Sequence, residues 1–492
     1  MPSLHCRRSR SRRRCASASL AAALLCALPA SAADRAPTPE GADALRALVA
    51  KFLPTAQTGA SPLVTVTPES ADYLISVDLS AVGALLSHVG LSFAPATVVY
   101  KGAEQDDGNW RLTLDSLPRI AFQSEKGSGS VEFANFRSAA LISPALAWLL
   151  SGSASADKGT FRIATPNAEQ SIDFGAVQEN VTTNVGAEGS VSTLVKENLS
   201  DVAFNAAGIQ KDDAPFDISG RIDTALIEVG VDGFKSRKAF DLWSLLASHR
   251  SRIDLAAHQA ELKGLLRELA APGLEFAEGI DAQKTLIVAS IGAITLADVK
   301  YRLAAANAGP ESSIRLDLSA EGLGLPAGLV APQAGDLMPS KIDVTATLKG
   351  VDLAAAANTW IEAFSLEGDG PVITDEDADK VHAALLSAGP IRIEFAPSHI
   401  LAPAVDADFT GVVRFDHGKP AGAMTVHMRG FDKTMAAVKA LGPEVAAKAL
   451  PAMALAKGFS QTDSDGSLSW LVELDPDGSL MVNGVPFGKA PN

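Results

Sequence analysis

The residues able to do chemistry are scattered. Past the first 32 positions the histidines are His88, His249, His258, His382, His399, His417 and His427. No two are four residues apart, so no helix turn can offer two imidazoles to a zinc ion, and no H-E-x-x-H run occurs. A hydrolase serine needs G-x-S-x-G to stand exposed at a sharp strand-to-helix turn. Gly127-Ser128-Gly129-Ser130 is the nearest approach, and it reads as a hairpin loop before a strand. Gly322-Leu323-Gly324-Leu325-Pro326 has neither the G-x-G-x-x-G spacing nor a Walker lysine, and suits a strand edge or a turn.

Two acidic segments look like fragments of calcium loops, Asp463-Ser464-Asp465-Gly466 and Asp475-Pro476-Asp477-Gly478. A calcium EF-hand needs acids at both ends of its loop. The first has Gln461 and Val472 there, the second Glu473 and Gly484, so both fail. Asp-Gly between apolar runs is a hairpin signal instead. In Thr374-Asp375-Glu376-Asp377 the threonine caps a helix over 375–387, and the acids oppose its dipole. No residue stands out as catalytic, as a metal ligand or as a cofactor contact.

The elements that would position any site are mostly strands. Ile314, Leu316 and Leu318 alternate with polar residues, as do Ile342, Val344 and Leu348, and Met424, Val426 and Met428. Each pattern is a strand with one buried and one wet side, the habit of antiparallel sheets. The run from Phe216 to Phe234 is very long for a strand, and a bend at Gly220 or Gly230 is expected to divide it. Helical spacing appears over 41–53 and from Ile253 to Leu269.

A strand–turn–helix unit recurs four times. Tyr73, Ile75 and Val77 meet Asp78-Leu79. A strand near Val231 meets Gly233-Phe234, then Phe240, Trp243 and Leu246. Residues 342–349 meet Gly350-Val351-Asp352, then Leu353, Trp360, Ile361 and Phe364. Residues 424–429 meet Gly430-Phe431-Asp432. Glycine ends the strand, aspartate can cap the helix, and the apolar stripe turns back on the sheet. The expected fold is α+β: a long, curved, mainly antiparallel sheet with amphipathic helices packed on one face, in two similar halves. The halves are 61–271 and 272–492, divided at Ala271-Pro272-Gly273, after a leader and short helix over 33–60.

Residues 1–32 read as a cleaved signal peptide, with six arginines and no acid, a short apolar run from Ala16 to Leu28, and Ala30-Ser31-Ala32 at the cleavage site. Cleavage falls between Ala32 and Ala33. Ser11-Arg12-Arg13 resembles a twin-arginine signal, so the secretory and twin-arginine routes both stay open. Cys6, Cys15 and Cys26 all leave with the leader, so the mature chain is cysteine-free. The formal charge of 42 − 57 = −15 becomes 36 − 57 = −21 after cleavage. That acidity opposes nucleic acid and anionic membrane surfaces. No later run is long enough for a transmembrane helix. An outer-membrane barrel does not fit either, given the recurrent amphipathic helices and the ending Lys489-Ala490-Pro491-Asn492.

The C-terminal text carries a resemblance. Gly466-Ser467-Leu468-Ser469-Trp470 leads through Asp477-Gly478 to Val482-Asn483-Gly484-Val485-Pro486. A terminal hairpin ending in V-N-G-x-P resembles exported α-proteobacterial proteins of domain-of-unknown-function family 2125, and is similar in style to the YdgA-like family. The one-sided strands and the Gly322–Pro326 piece are similar in texture to AsmA-like envelope proteins. The resemblance implies the cell envelope and, through the AsmA-like analogy alone, lipid handling. It carries over no catalytic residue.

The functional expectation is therefore a non-enzymatic periplasmic protein. A lipid, another hydrophobic molecule or an envelope partner would lie on a concave sheet, with Trp360, Phe364 and Trp243 at the groove or in the core. No cofactor is expected. The alternative is a periplasmic hydrolase whose site is assembled from distant Asp, Glu and His residues; an inward carboxylate pair, or a buried His–Asp pair beside a serine, would be its sign.

Overall fold

The computed structural model describes residues 34–52, 62–86, 90–209, 215–249, 251–326, 328–416 and 419–489. The expected signal peptide and the expected cleavage residues Ala32 and Ala33 lie outside them. Among the described residues, 25 strands hydrogen-bond into one antiparallel sheet.

The first strands are short: β1 (Val64–Pro68), β2 (Tyr73–Asp78), β3 (Leu91–Phe93), β4 (Thr97–Glu104), β5 (Trp110–Leu114) and β6 (Ile120–Ser124). Three arms interrupted at their middles follow. They are β7 (Gly127–Ala134) with β8 (Arg137–Ser143), β9 (Trp148–Ala156) with β10 (Lys158–Thr165), and β11 (Ala168–Phe174) with β12 (Val177–Val185). Next come β13 (Val191–Ile209), β14 (Pro215–Phe234), β15 (Leu274–Ala289), β16 (Gly292–Asn307) and β17 (Ser312–Glu321). The sheet continues through β18 (Lys341–Val351), β19 (Ile391–Ala402), β20 (Val405–Asp416) and β21 (Lys419–Arg429). The last strands are β22 (Gln461–Thr462), β23 (Leu468–Leu474), β24 (Ser479–Val482) and β25 (Val485–Lys489).

From β13 to β21, sequence neighbours are spatial neighbours. β13 forks the sheet. Its residues 191–199 pair with β12 and its residues 203–208 with β11. One branch runs through β9, β8, β5, β4 and β2 to β1, the other through β10, β7 and β6 to β3. The sheet is not closed: the terminal strands β1 and β25 pair with β2 and β24, not with each other.

A row of irregular residues crosses the sheet at the fork. Asn135, Asp201 and Lys284 have φ of 53°, 49° and 51°. Asp223 and Ala297, in line with them, make no ladder pair. Apolar alternation changes parity across this row. In β13 it runs Val191, Val195 and Leu199 before and Val202, Phe204 and Ala206 after; in β14, Ile218 and Ile222 before and Ala225, Ile227 and Val229 after. One extra residue turns the following side chains over. Because each strand carries it at the same level, the ladder stays in register and the apolar residues stay on one side. Burial agrees, with Val191 and Thr193 enclosed before the row and Val202 after it.

The expected bend at Gly220 or Gly230 is therefore corrected: β14 runs unbroken from Pro215 to Phe234, and its irregular residue is Asp223. Gly220 serves packing, because the Phe204 ring lies where its Cβ would be. Phe174 covers Gly159 and Phe122 covers Gly129 in the same way. Gly127-Ser128-Gly129-Ser130 is likewise corrected from loop to strand, since it opens β7 and pairs with β6 and β10.

The helices are α1 (Pro39–Phe52), α2 (Leu79–Leu86), α3 (Ser236–Ser248), α4 (Arg252–Ala257), α5 (Gln259–Leu269), α6 (Leu353–Ala363), α7 (Asp375–Leu385), α8 (Phe431–Ala440) and α9 (Pro443–Phe459). The helix expected from Ile253 to Leu269 is broken into α4 and α5 at His258, whose ψ of 13° leaves the helical region. The joints follow their chemistry. Gly233, Gly350 and Gly430 have φ of 68°, 81° and 68°. Asp352 accepts from the Ala355 amide at 2.8 Å, and Asp78 from the Ser80 amide at 2.8 Å. Thr374 caps α7 by accepting from the Asp377 amide at 3.2 Å.

Helix α1 packs Ala42 and Leu45 against Val66, Tyr73 and Ile75 of β1 and β2. Helices α8 and α9 pack Phe431, Met435, Met453 and Phe459 against Val426, Met428 and Trp470. Helices α3 to α6 behave differently. Their core of Leu245, Leu262, Phe364 and Leu366, with Leu242, Leu255, Leu265 and Val372 around it, contains no strand residue. These helices leave the sheet at the ends of β14 and β18 and enclose one another. Arg267 pairs with Glu362 at 2.6 Å, and Gln259 accepts from the Leu366 amide at 2.6 Å. Ala271-Pro272-Gly273 is the link from α5 into β15, and β14 and β15 on its two sides pair from Ser219–Val288 to Asp232–Glu275.

Candidate binding surface

The two sides of the central strands differ in chemistry. On the polar side Lys196, Glu228, Gly279, Arg302 and Asp317 stand in one cross-strand row. Lys196 reaches Glu228 at 2.5 Å, and Arg302 reaches it at 2.7 Å across Gly279, which has no side chain to block the path. Lys300 meets Asp281 and Asp298 at 3.4 and 3.3 Å. Lys341 bridges Glu321 and Asp343, Lys349 meets Glu394, and Arg429 meets Asp406 and Asp408. Hydrogen bonds from Lys196, backed by Arg302, hold the Glu228 carboxyl below its ordinary range. Arg315 does the same for Asp317. Most of the charges on this side are paired within it, although Asp281 Oδ1 and Asp298 Oδ1 are buried without a hydrogen-bond partner.

The other side is apolar and open. Registered partners place Ile227, Ile280, Tyr301, Leu318 and Val344 in one row. The next row is Val229, Glu278, Leu303, Leu316, Ala346 and Phe395. Phe276, Ile280, Leu316 and Leu318 are 40, 45, 37 and 40% exposed. Six strands at the usual spacing, with three rows of side chains, make a patch of about 25 by 14 Å, or roughly 350 Å². That is the size of the largest apolar patches on monomeric proteins, which are often functional. Glu278 is the polar member of the patch. Burial lifts the Tyr301 phenol above its ordinary range, and the hydrogen-bonded Glu278 carboxylate adds to the effect.

Towards the fork the apolar side closes into a core, and two acids lie in it. Glu179 and Glu197 stand directly opposite each other on β12 and β13, and Glu179 is only 7% exposed. Burial raises the Glu197 carboxyl. A carboxyl raised on folding contributes stability that is complete below its unfolded pKa and is lost as pH rises through the folded one. Acidification from neutral towards about pH 4.5 is therefore expected to stabilise this branch. Glu197→Gln should raise stability by about 1 kcal/mol at pH 7 and leave it unchanged near pH 4, since like charges directly opposite are unfavourable. Thermal melts of both proteins across that range check it; a variant less stable at pH 7 would contradict the assignment.

A His–Asp–Ser group occurs where β21 meets the terminal strands. His427 Nδ1 lies 3.0 Å from Asp463 Oδ2. Ser469 donates to the same carboxylate at 3.1 Å, and the Ser467 hydroxyl lies 3.2 Å from it but nearer to Asp465 Oδ1, at 2.6 Å. In a catalytic triad the serine bonds to the imidazole and the carboxylate orients that imidazole from behind. Here both hydroxyls face carboxylates, Ser469 that of Asp463 and Ser467 most closely that of Asp465, and neither bonds to the imidazole; His427 and Asp463 are 41 and 36% exposed. The group closes the turn over Asp463–Ser467, whose ends are tied by the Asp463 amide to the Ser467 carbonyl at 2.9 Å. The turn over Asp475–Ser479 closes identically, as the Asp-Gly pairs foretold. Among the described residues no three His, Cys, Asp or Glu side chains group to hold a metal ion.

Of the aromatic residues singled out in the sequence, Phe364 is buried in the helical core. Trp360 is 37% exposed and stacks beside Phe364 at 5.2 Å, and Trp243 is 51% exposed. The expectation that Trp360 clamps its helix to the sheet is corrected. Ala354 and Ile361 are the enclosed residues of α6, and Trp360 lies about 100° from Ile361 around the helix. Leu316 and Leu318, whose period-two spacing predicts a buried strand side, are instead 37 and 40% exposed, beside Ile280. No protein-family model, no curated protein and no solved structure matches this chain.

Proposed function

We propose that this chain is a non-enzymatic envelope protein, exported to the periplasm, that holds a hydrophobic molecule of the lipid class on the apolar side of β14–β19. The observation that carries this reading is the contrast between the two sides. The polar side is closed by ion pairs, while Phe276, Ile280, Leu316 and Leu318 stay accessible and the nearby helices pack on one another. Covering roughly 350 Å² of apolar area gains about 9 kcal/mol before ordering costs, enough to retain an acyl chain. The sequence resemblance to exported envelope families points the same way.

The test is native mass spectrometry of gently purified protein, followed by binding of a fluorescent fatty acid. Ile280→Glu combined with Leu318→Glu should abolish retention and weaken probe binding at least tenfold, with melting nearly unchanged because both side chains are partly exposed. If native protein carries no lipid and both proteins bind the probe equally, the proposal fails.

A further inference from the structure

On the branch that ends at β3, small side chains leave a hollow of about 460 Å³. Its floor is Ser92, Ala94, Ala121, Ser128, Ser130 and Ala164, brought together by the pairing of β3, β6, β7 and β10. Two guanidinium groups stand around it. Arg162 is directly opposite Ser130 across the β7–β10 ladder, and Arg119 Nη2 lies 3.5 Å from the Ser130 hydroxyl. Neither arginine meets a carboxylate among the described residues, whereas the cations of the central ladder, Lys196, Lys300, Arg302 and Lys341, all do. Gln123 and Glu169 complete the wall.

The geometry points to this hollow as a binding site for a small hydroxylated organic anion, a phosphate ester or a carboxylic acid of sugar or glycerol type. A guanidinium offers paired donors matched to two oxygens of such a group. Two of them flanking one serine can hold the anion from both sides, with Ser128 and Ser130 supplying hydroxyls from the floor. The volume exceeds what a bare phosphate fills and falls within the range of small-molecule sites. Glu169 and Gln123, which would repel or ignore a second anionic group, suit the hydroxyls of the remainder. In a chain with net charge −15 the surroundings do not attract anions, so affinity must come from these two arginines. The site is separate from the apolar side of β14–β19, and either can stand without the other.

Isothermal titration of the full chain at low salt with glycerol phosphate, glucuronate, inorganic phosphate and neutral glucose tests the assignment. Glycerol phosphate or glucuronate should bind, inorganic phosphate more weakly, and glucose not at all. Arg162→Gln and Arg119→Gln should each weaken binding about tenfold or more, the value of one charge-assisted pair. Both side chains are exposed, so melting should not change, and this separates loss of the site from loss of the fold. Absence of heat with every anion at millimolar concentration, or unchanged affinity in both arginine variants, would overturn the inference.

Discussion

Trp470→Ala should cost about 3–5 kcal/mol, the usual penalty for removing a buried tryptophan. The indole is 8% exposed, lies 5.6 Å from the Phe431 ring, and donates from Nε1 to the Ala456 carbonyl at 2.7 Å. It thus ties β23 to both α8 and α9, and its loss leaves a cavity and an unpaired carbonyl together. Since a domain's whole stability is about 5–15 kcal/mol, the variant should lose about a fifth of it or more. Ending the chain before Gly466 should do more. It removes the β21–β23 ladder from Gly422–Leu474 to Met428–Leu468, exposing Val426 and Met428 and freeing the β21 edge to aggregate. Urea unfolding of the full, substituted and shortened chains measures both effects. A shortened chain that melted at the full temperature would show that the terminal hairpin is not part of the cooperative unit.

Gly350→Ala should cost about 2–5 kcal/mol, and Gly430→Ala only about 1 kcal/mol. Both glycines occupy the same place in the strand–Gly–helix unit and both have positive φ, 81° and 68°. The left-handed conformation alone costs an alanine about 1–2 kcal/mol. At Gly350 a Cβ would also overlap the carbonyl oxygen of Pro390, which belongs to the backbone and cannot turn aside. At Gly430 the nearest heavy atom to a Cβ is the Lys433 Cβ at 4.0 Å. Gly233 resembles Gly350, with the Gly273 carbonyl in the way. Equal costs at 350 and 430 in chemical denaturation would mean that the backbone near Pro390 yields easily.

Much of the local structure was legible because it depends on neighbours in sequence. Alternation at Ile314–Leu318, Ile342–Leu348 and Met424–Met428 became β17, β18 and β21. Thr374 and Asp352 cap their helices through their own third-residue amides, and the Asp-Gly turns close within five residues. The change of apolar parity in β13 and β14 is also written in the chain. Read one strand at a time, however, it suggested a bend at a glycine. Only the ladder shows Asp201, Asp223 and Lys284 lying in one row, where an extra residue in every strand preserves the register.

The site was less legible. No part of the sequence says that the helical stripes around Leu245, Leu262 and Phe364 will satisfy one another and leave the sheet side at Leu316 and Leu318 open. An amphipathic stripe specifies that a side must be covered, not by what, because apolar burial is non-directional. Nor does spacing place Arg119 beside Ser130 and Arg162, which the pairing of β7 with both β6 and β10 brings to one hollow. By itself the sequence determined strand periods, helix caps, hairpin turns and the acidic charge, since these rest on the stereochemistry and ionisation of adjacent residues. The tertiary structure alone decided which apolar surfaces meet and which unpaired charges share a hollow, because those are set by contacts between residues far apart in the chain.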